Sequence, residues 1–372
     1  MREGRIPYLD GLRAYSILLV LLFHSNERQH WLGSLWMLRP IIADGYLGVR
    51  IFFVLSGFLI TFLLLDEIDK NGKISLRGFY ERRIARIFPA YYLYLAIITV
   101  LTVVGFLAIH PIALFEAATY TWNFSFVWNH FFPPGEQIKD SVLLDHFWTL
   151  SLEEQFYIAW PGCLVLFGRR WSAALAMIGV VAFPLLRFCA FRYWGSEYPG
   201  TQGNILWRMM QDMVLIGTLA AFVARSRWLG RLNTTSARPA FPLISLLVLF
   251  VLCPWIGSLG LGMDTYLVPT LQAVATVLIM FWLLTGSGGP IRSVLEWAPV
   301  RRLGLISYSL YIFQQAITFW DRAAWIRFPW NALLTIPLAL ACYKFWEMPM
   351  RTQLRKWFHQ LGKSHGEVVD TP

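Results

Sequence analysis

Long apolar runs recur along the whole chain and are separated by short polar segments. Ten of these runs approach the length of about 20 residues that a helix needs to cross a bilayer. They cover roughly residues 9–26, 46–65, 88–109, 146–167, 171–191, 205–224, 241–257, 266–285, 303–320 and 330–348. This pattern predicts an all-α polytopic membrane protein with about ten transmembrane helices in one bundle. The runs show no internal repeat, which argues against an inverted-repeat transporter.

The basic residues indicate how the bundle is oriented. An even number of spans places both termini on the same side of the membrane. About two thirds of the 32 Lys and Arg residues fall in the segments on that side, as the positive-inside rule expects for the cytoplasm. We therefore predict cytoplasmic termini, with one membrane domain over residues 1–348 and a short charged cytoplasmic tail over residues 349–372.

The composition supports the membrane assignment. Hydrophobic residues make up 57% of the 372 residues and charged residues 15%, and the mean hydropathy is +0.51, whereas soluble domains carry more charge. The net charge of +10 comes from basic segments between the spans, so we expect no nucleic-acid partner. The four cysteines lie in or beside apolar runs without a C-x-x-C motif, which favours structural thiols and gives no indication of a metal site.

Two ionisable residues lie on one face of the first span. Arg13 and His24 are 11 residues apart, which on a helix is about three turns and about 16 Å. Because charged residues in membrane helices almost always face a protein interior or a wet cavity, the pair indicates a polar cavity along this helix. An imidazole is also the usual general base near neutral pH. Alternatively, Asp10 and Arg13 form a local ion pair, and His24 lies at the membrane interface.

Two further segments carry candidate chemistry. Arg82, Arg83 and Arg86 are neighbours on one helical surface, where their guanidinium groups would bind phosphates or contact lipid headgroups as a positive-inside anchor.

The fourth predicted span begins with several polar side chains. His146 and Glu153 share a face about 10 Å apart, and Tyr157 follows Glu153 at i,i+4. Adjacent carboxylates, Glu153 and Glu154, are costly in an apolar helix and need partners. A functional site and a purely structural network both account for them.

Five segments, taken in order, carry family-like motifs. They are Leu9 to Ala14 (LDGLRA) with the Arg-x10-His spacing of Arg13 and His24, Phe52 to Ile60 (FFVLSGFLI), Arg83 to Arg86 (RIAR), Trp148 to Tyr157 (WTLSLEEQFY) and Leu303 to Tyr311 (LGLISYSLY). Each motif is weak alone, but together they resemble the acyltransferase 3 family of integral membrane acyltransferases over nearly the whole chain.

The resemblance implies a multi-pass enzyme of the cytoplasmic membrane. It would move an acyl group, typically acetyl, from acyl-CoA to a hydroxyl of a cell-envelope saccharide, free or lipid-linked, without a metal, and it would contact membrane lipids. The implied catalytic residues are His24 as general base, Glu153 and Arg13. The implied donor-binding residues are Arg82, Arg83, Arg86 and Arg13, and the implied acceptor-binding residues are Asp10, His146, Glu154, Tyr157 and Tyr308.

The chain departs from the family pattern in two places. Many members have a histidine shortly after the last motif, where this chain has Gln314 and Gln315, and glutamine cannot shuttle protons. Some members also carry a soluble C-terminal hydrolase-like domain. Without it, transfer would finish in the membrane domain or on a separate periplasmic or extracellular partner. The competing class is a non-enzymatic transporter or flippase for a lipid-linked saccharide, which would also need a polar cavity.

Overall fold

The computed structural model describes residues 6–29, 44–125, 142–194, 211–226, 240–285, 289–318 and 328–364, and no strand occurs among them. The helices in chain order are α1 (Pro7–Gln29), α2 (Gly45–Asn71), α3 (Leu76–Val103), α4 (Pro111–Ala118), α5 (Val142–Asp145), α6 (Phe147–Trp194), α7 (Asp212–Ala224), α8 (Ala240–Leu247), α9 (Cys253–Ser258), α10 (Met263–Tyr266), α11 (Val268–Leu284), α12 (Gly289–Glu296), α13 (Ala298–Leu305), α14 (Ser307–Thr318), α15 (Trp330–Cys342) and α16 (Met348–Ser364). A 3-10 turn, Trp122–Phe124, follows α4, and π-helical turns, Val248–Leu252 and Tyr343–Glu347, follow α8 and α15. The all-α class is confirmed.

Several helices are long and apolar enough to cross a membrane. The helices α2 and α3, the stretch Val142–Tyr193 and the stretch Ala240–Ser258 meet this description, as does α11 if it forms one broken span with α12. The 48-residue helix α6 breaks at Gly168, whose φ of 66° and ψ of 177° are not helical. Each predicted span overlaps a described helix, so the chain is a multi-pass membrane protein. The count of ten spans and the side of the termini stay predictions.

Glycine contacts hold the centre of the bundle together. A Cβ atom at Gly57 of α2 would lie 1.9 Å from the carbonyl oxygen of Val214 in α7, and one at Gly217 would lie 2.1 Å from that of Val54. Without side chains at these positions the two backbones approach closely, which is how helices commonly pack in membranes. The buried face of α2, which includes Phe53 and Phe58, then packs against α1 and α7.

The beginning of α1 is enclosed in the same way. A Cβ atom at Gly304 of α13 would lie 1.8 Å from the carbonyl oxygen of Asp10, and one at Gly11 would lie 2.3 Å from that of Leu295 in α12. These contacts fix the first turns of α1 against α12 and α13. Arg13 lies one turn further along α1, so these contacts also fix the backbone position from which its side chain extends.

A buried ion pair joins two further helices. Arg187 of α6 contacts Asp212 of α7 at 2.6 Å, with the two side chains 1% and 0% exposed. The hydroxyl of Thr270 in α11 donates to Asp212 at 2.6 Å. Inside a membrane bundle such charges persist only when they are paired, so this group stabilises the packing of three helices.

We expect the α2–α7 contact to be sensitive to a single methyl group. The Gly57→Ala variant forces the backbones apart, and overpacking of this kind typically costs about 1–3 kcal/mol. Thermal unfolding of the detergent-solubilised protein measures the loss. The matched control is Gly162→Ala in α6, where a Cβ atom would meet nothing within 4 Å. Equal unfolding temperatures for the two variants would contradict the close contact.

Candidate active site

One cavity brings all five motif segments together. Its walls come from α1, α2, α3, α6 and α14. The polar side chains that line it are Arg13, Ser56, Arg83, Arg86, Thr149, Glu153, Glu154, Tyr157, Ser307, Tyr308 and Tyr311. Charged and hydroxyl-bearing side chains that line a cavity in a membrane bundle are suited to a charged or hydroxyl-rich ligand.

The arginines of the cavity are only partly satisfied by the protein. Arg13 contacts Asp10 at 3.5 Å, which is the local pair expected from their spacing. Arg83 lies over the ring of Tyr157 at 5.0 Å from its centroid. Neither Arg83 nor Arg86 forms an ion pair with any residue in the described ranges. Their donors are therefore available to an anionic ligand.

The two carboxylates of the cavity differ in their surroundings. The hydroxyl of Tyr157 donates to Ser56 at 2.9 Å, and Ser56 donates to Glu153 at 2.7 Å. This chain of hydrogen bonds joins α2 to α6 and fixes the orientation of Glu153. Glu154 lines the cavity without a hydrogen bond to the part of the chain that the structure describes, so it can bind hydroxyl groups of a ligand.

His146 lies behind the cavity wall rather than in it. The residue is 3% exposed, and its Nδ1 is 2.8 Å from Oε1 of Gln315. In front of it, Thr149 and Tyr311 line the cavity and share a hydrogen bond of 2.6 Å between their hydroxyls. Gln315, one of the two glutamines at the position of the family histidine, therefore has a structural partner in this chain and ties α14 to the start of α6.

His24 lies outside the set of residues that line the cavity. It is half-buried, and its Nδ1 is 3.0 Å from the carbonyl oxygen of Val20. Because a carbonyl only accepts hydrogen bonds, this contact requires a proton on Nδ1. The neutral imidazole then carries its lone pair on Nε2, which is the form that a general base needs.

The predicted site residues thus fall into two groups. Those that line the cavity are Arg13, Arg83, Arg86, Glu153, Glu154, Tyr157 and Tyr308, and those that do not are Asp10, His24, Arg82 and His146. Arg82 is exposed and contacts Glu67 at 3.1 Å. The cavity residues that the sequence analysis missed include Ser56, Thr149 and Tyr311. Their hydroxyls lie within the recognised motifs, but nothing in the sequence distinguishes them from packing residues.

Two amide side chains, Asn123 and Gln155, link α6 to the segment that follows α4. Asn123 donates to Gln155 at 3.1 Å and accepts from it at 2.9 Å, and Gln155 also donates to the carbonyl of Tyr120 at 2.8 Å. The hydroxyl of Tyr91 in α3 donates to the carbonyl of Ala117 at 2.6 Å. The α4 segment is therefore fixed beside the start of α6, next to the cavity residues of that helix.

Comparison with known proteins agrees with the class that this architecture defines, a membrane protein with a charged cavity. The sequence profile of a family described as an acyltransferase domain matches residues 6–343. The chain belongs to the acyltransferase 3 family.

Two relatives extend along most of the chain. YrhL of Bacillus subtilis, provisionally named a peptidoglycan O-acetyltransferase, is 28% identical over 94% of this chain and 55% of its own length. The peptidoglycan O-acetyltransferase OatA of Listeria monocytogenes is 26% identical over 93% of this chain and 56% of its own length. The chain thus spans about half the length of these relatives. No solved structure matches it significantly.

Glu116 is a buried carboxyl group in α4, the helix that lies beside the start of α6. Its side chain is 0% exposed, and among the described residues neither of its oxygens has a hydrogen-bond partner. Desolvation raises the pKa of Glu116 from its ordinary 4.5 to about 8. The folded protein therefore holds a proton on Glu116 that the unfolded chain releases at lower pH.

This proton makes the stability depend on pH. The stability is highest below the ordinary pKa of Glu116, where its carboxyl is protonated in both states. It falls as the pH rises towards the raised pKa of the folded protein, because the folded state must then keep a proton that the unfolded chain releases. We expect the unfolding temperature to drop between about pH 5 and about pH 8.5. The Glu116→Gln variant, which stays neutral, should flatten this dependence, whereas Asp264→Asn at an exposed site should not. A wild-type profile that Glu116→Gln leaves unchanged would exclude the buried proton.

Proposed function

We propose that the chain is a membrane O-acetyltransferase that transfers an acetyl group from acetyl-CoA to a hydroxyl of a cell-envelope saccharide. The observation that carries this proposal is that three arginines and two carboxylates from the family motifs converge on one cavity. The arginines match a phosphate-bearing donor. The names of the relatives, peptidoglycan O-acetyltransferases, support a saccharide acceptor in the cell envelope.

The donor would enter at the arginine side of the cavity. In the predicted topology this side is cytoplasmic, where acyl-CoA is found. Arg83 and Arg86 line the cavity, which supports binding of the donor phosphates in preference to a role as a lipid anchor. Arg13 would guide the thioester arm along α1 towards His24, about 16 Å further on.

His24 would act as the general base at the acceptor side. Nε2 takes the proton of the acceptor hydroxyl while the oxygen attacks the thioester carbonyl carbon. The C–S bond then breaks, CoA leaves as thiolate, and the imidazolium returns the proton to the sulfur. The saccharide would extend from the cavity, where Glu154, Tyr157 and Tyr308 bind it, to His24 outside the cavity lining. Glu153 would orient His24 or bind acceptor hydroxyls. Asp10 and His146, which do not line the cavity, would position this set.

Purified protein incubated with radiolabelled acetyl-CoA and cell-wall saccharides tests the function directly. Labelled ester together with free CoA establishes an acetyltransferase. Passage of a lipid-linked saccharide across vesicles without release of CoA would instead establish a transporter.

The same assay tests the general base. We expect His24→Ala to lower the turnover number at least about 100-fold, because positioned bases contribute about 10²–10⁴-fold. Expression and unfolding temperature should stay near those of the wild type. The matched control is His110→Asn at the N-cap of α4, where asparagine preserves the cap. Near-normal turnover of His24→Ala would overturn the assignment.

The donor site is tested by Arg86→Ala. Loss of a charge-assisted phosphate contact should raise the KM for acetyl-CoA on the order of tenfold. The turnover number at saturating donor should change much less. Arg170→Ala, an exposed position outside the cavity, serves as the control. An unchanged KM in Arg86→Ala would favour the lipid-anchor interpretation.

A further inference from the structure

The C-terminal helix α16 is fixed against the arginine-bearing helix α3. It continues from α15 through the π-helical turn and packs along α3. Within that turn, Nε1 of Trp346 donates to the carbonyl oxygen of Pro89 in α3 at 2.8 Å. The next residue, Glu347, accepts a hydrogen bond from Ser309 of α14 at 2.7 Å. These two contacts hold the turn that precedes α16 against α3 and α14.

Arg351 lies in the first turn of α16, the helix that packs along α3. It is half-buried and lies four residues after Glu347, on the same helix face. Burial lowers the pKa of Arg351, and the positive charges of Arg355 and Arg86 lower it further. Arg86 itself lines the cavity. Arg351 therefore lies within electrostatic reach of Arg86, which lines the cavity from another helix, while Arg351 itself is not among the lining residues.

This arrangement places more positive than negative charge in a half-buried space. The positive charges of Arg86 and Arg355 both act on Arg351, and Glu347 is the carboxylate that acts on it. Glu347 is already hydrogen-bonded to Ser309. Neither Arg86 nor Arg351 has an ion-pair partner in the segments that the structure covers. Like charges that are desolvated together are unfavourable unless an anion lies between them.

We propose that Arg351 and Arg86 form a second anion subsite, which binds the 3′-phosphate of the CoA donor. The proposal rests on the proposed function. The thioester arm enters the cavity, so the nucleotide end stays at its edge, and the 3′-phosphate is a dianion on that end. Two guanidinium groups from separate helices can bind its oxygens from two sides.

Binding of two ligands that differ by one phosphate provides the test. The full chain in detergent is titrated with CoA and with 3′-dephospho-CoA. The wild type should bind CoA on the order of tenfold more tightly. We expect Arg351→Gln to lose this preference because its affinity for CoA falls while its affinity for 3′-dephospho-CoA does not. Arg351→Lys should keep part of the preference. Lys356→Ala, an exposed position of α16, should keep all of it.

Thermal unfolding separates a binding role from a structural one. Removal of a charge from a repulsive cluster should leave the unfolding temperature of the ligand-free protein unchanged or raised. The increase in the unfolding temperature that CoA causes should be smaller in Arg351→Gln, because it depends only on CoA binding to the folded state. A ligand-free Arg351→Gln protein that is markedly less stable would instead indicate a structural role for Arg351.

The remaining outcomes distinguish the subsite from the function as a whole. If Arg351→Gln weakens the binding of CoA and of 3′-dephospho-CoA equally, or changes neither affinity, the subsite is wrong and the acetyltransferase proposal stands. If selectivity for CoA is kept while binding to vesicles of anionic lipid is lost, Arg351 contacts lipid headgroup phosphates instead. If the wild type binds neither ligand, the proposed donor itself is wrong.

Discussion

The convergence of charged side chains inside an apolar bundle is the constraint on which the rest of this structure depends. A guanidinium or carboxylate in a membrane interior is stable only if protein groups or water surround it. The fold meets this demand by bringing α1, α2, α3, α6 and α14 around one polar space. The close glycine contacts of Gly57 with Val214 and of Gly304 with Asp10 pack α2 against α7 and α1 against α13, and so fix two of the cavity helices in place.

Much of the fold could be predicted from apolar runs because each long run needs one hydrophobic environment. The break at Gly168 fell between two predicted spans, where basic residues interrupt the apolar pattern. The helix α16 was not predicted. Its many charged residues read as a solvated tail, and its packing depends on a hydrogen bond between Trp346 and Pro89, which are far apart in sequence.

The charged residues of the site could also be predicted from the sequence, but their hydrogen-bond partners could not. Ionisable residues stand out in apolar runs, so Arg13 and Glu153 could be assigned to a cavity without a structure. Their partners could not, because a serine such as Ser56 is common in membrane helices and its bond to Glu153 joins distant segments. The contact between His146 and Gln315 was hidden for the same reason, because it also joins distant segments.

Two sets of arginines in the described part of the chain together support a ligand-binding cavity. Arg187 is paired with Asp212, and Arg225 with Asp66 and Asp69. The fold therefore supplies carboxylate partners where arginines serve packing. Arg83 and Arg86 lie in an equally apolar bundle without such partners in the described structure. Since a structural role would favour pairing here as it does elsewhere, the unpaired arginines are best explained by an anion that arrives with the substrate.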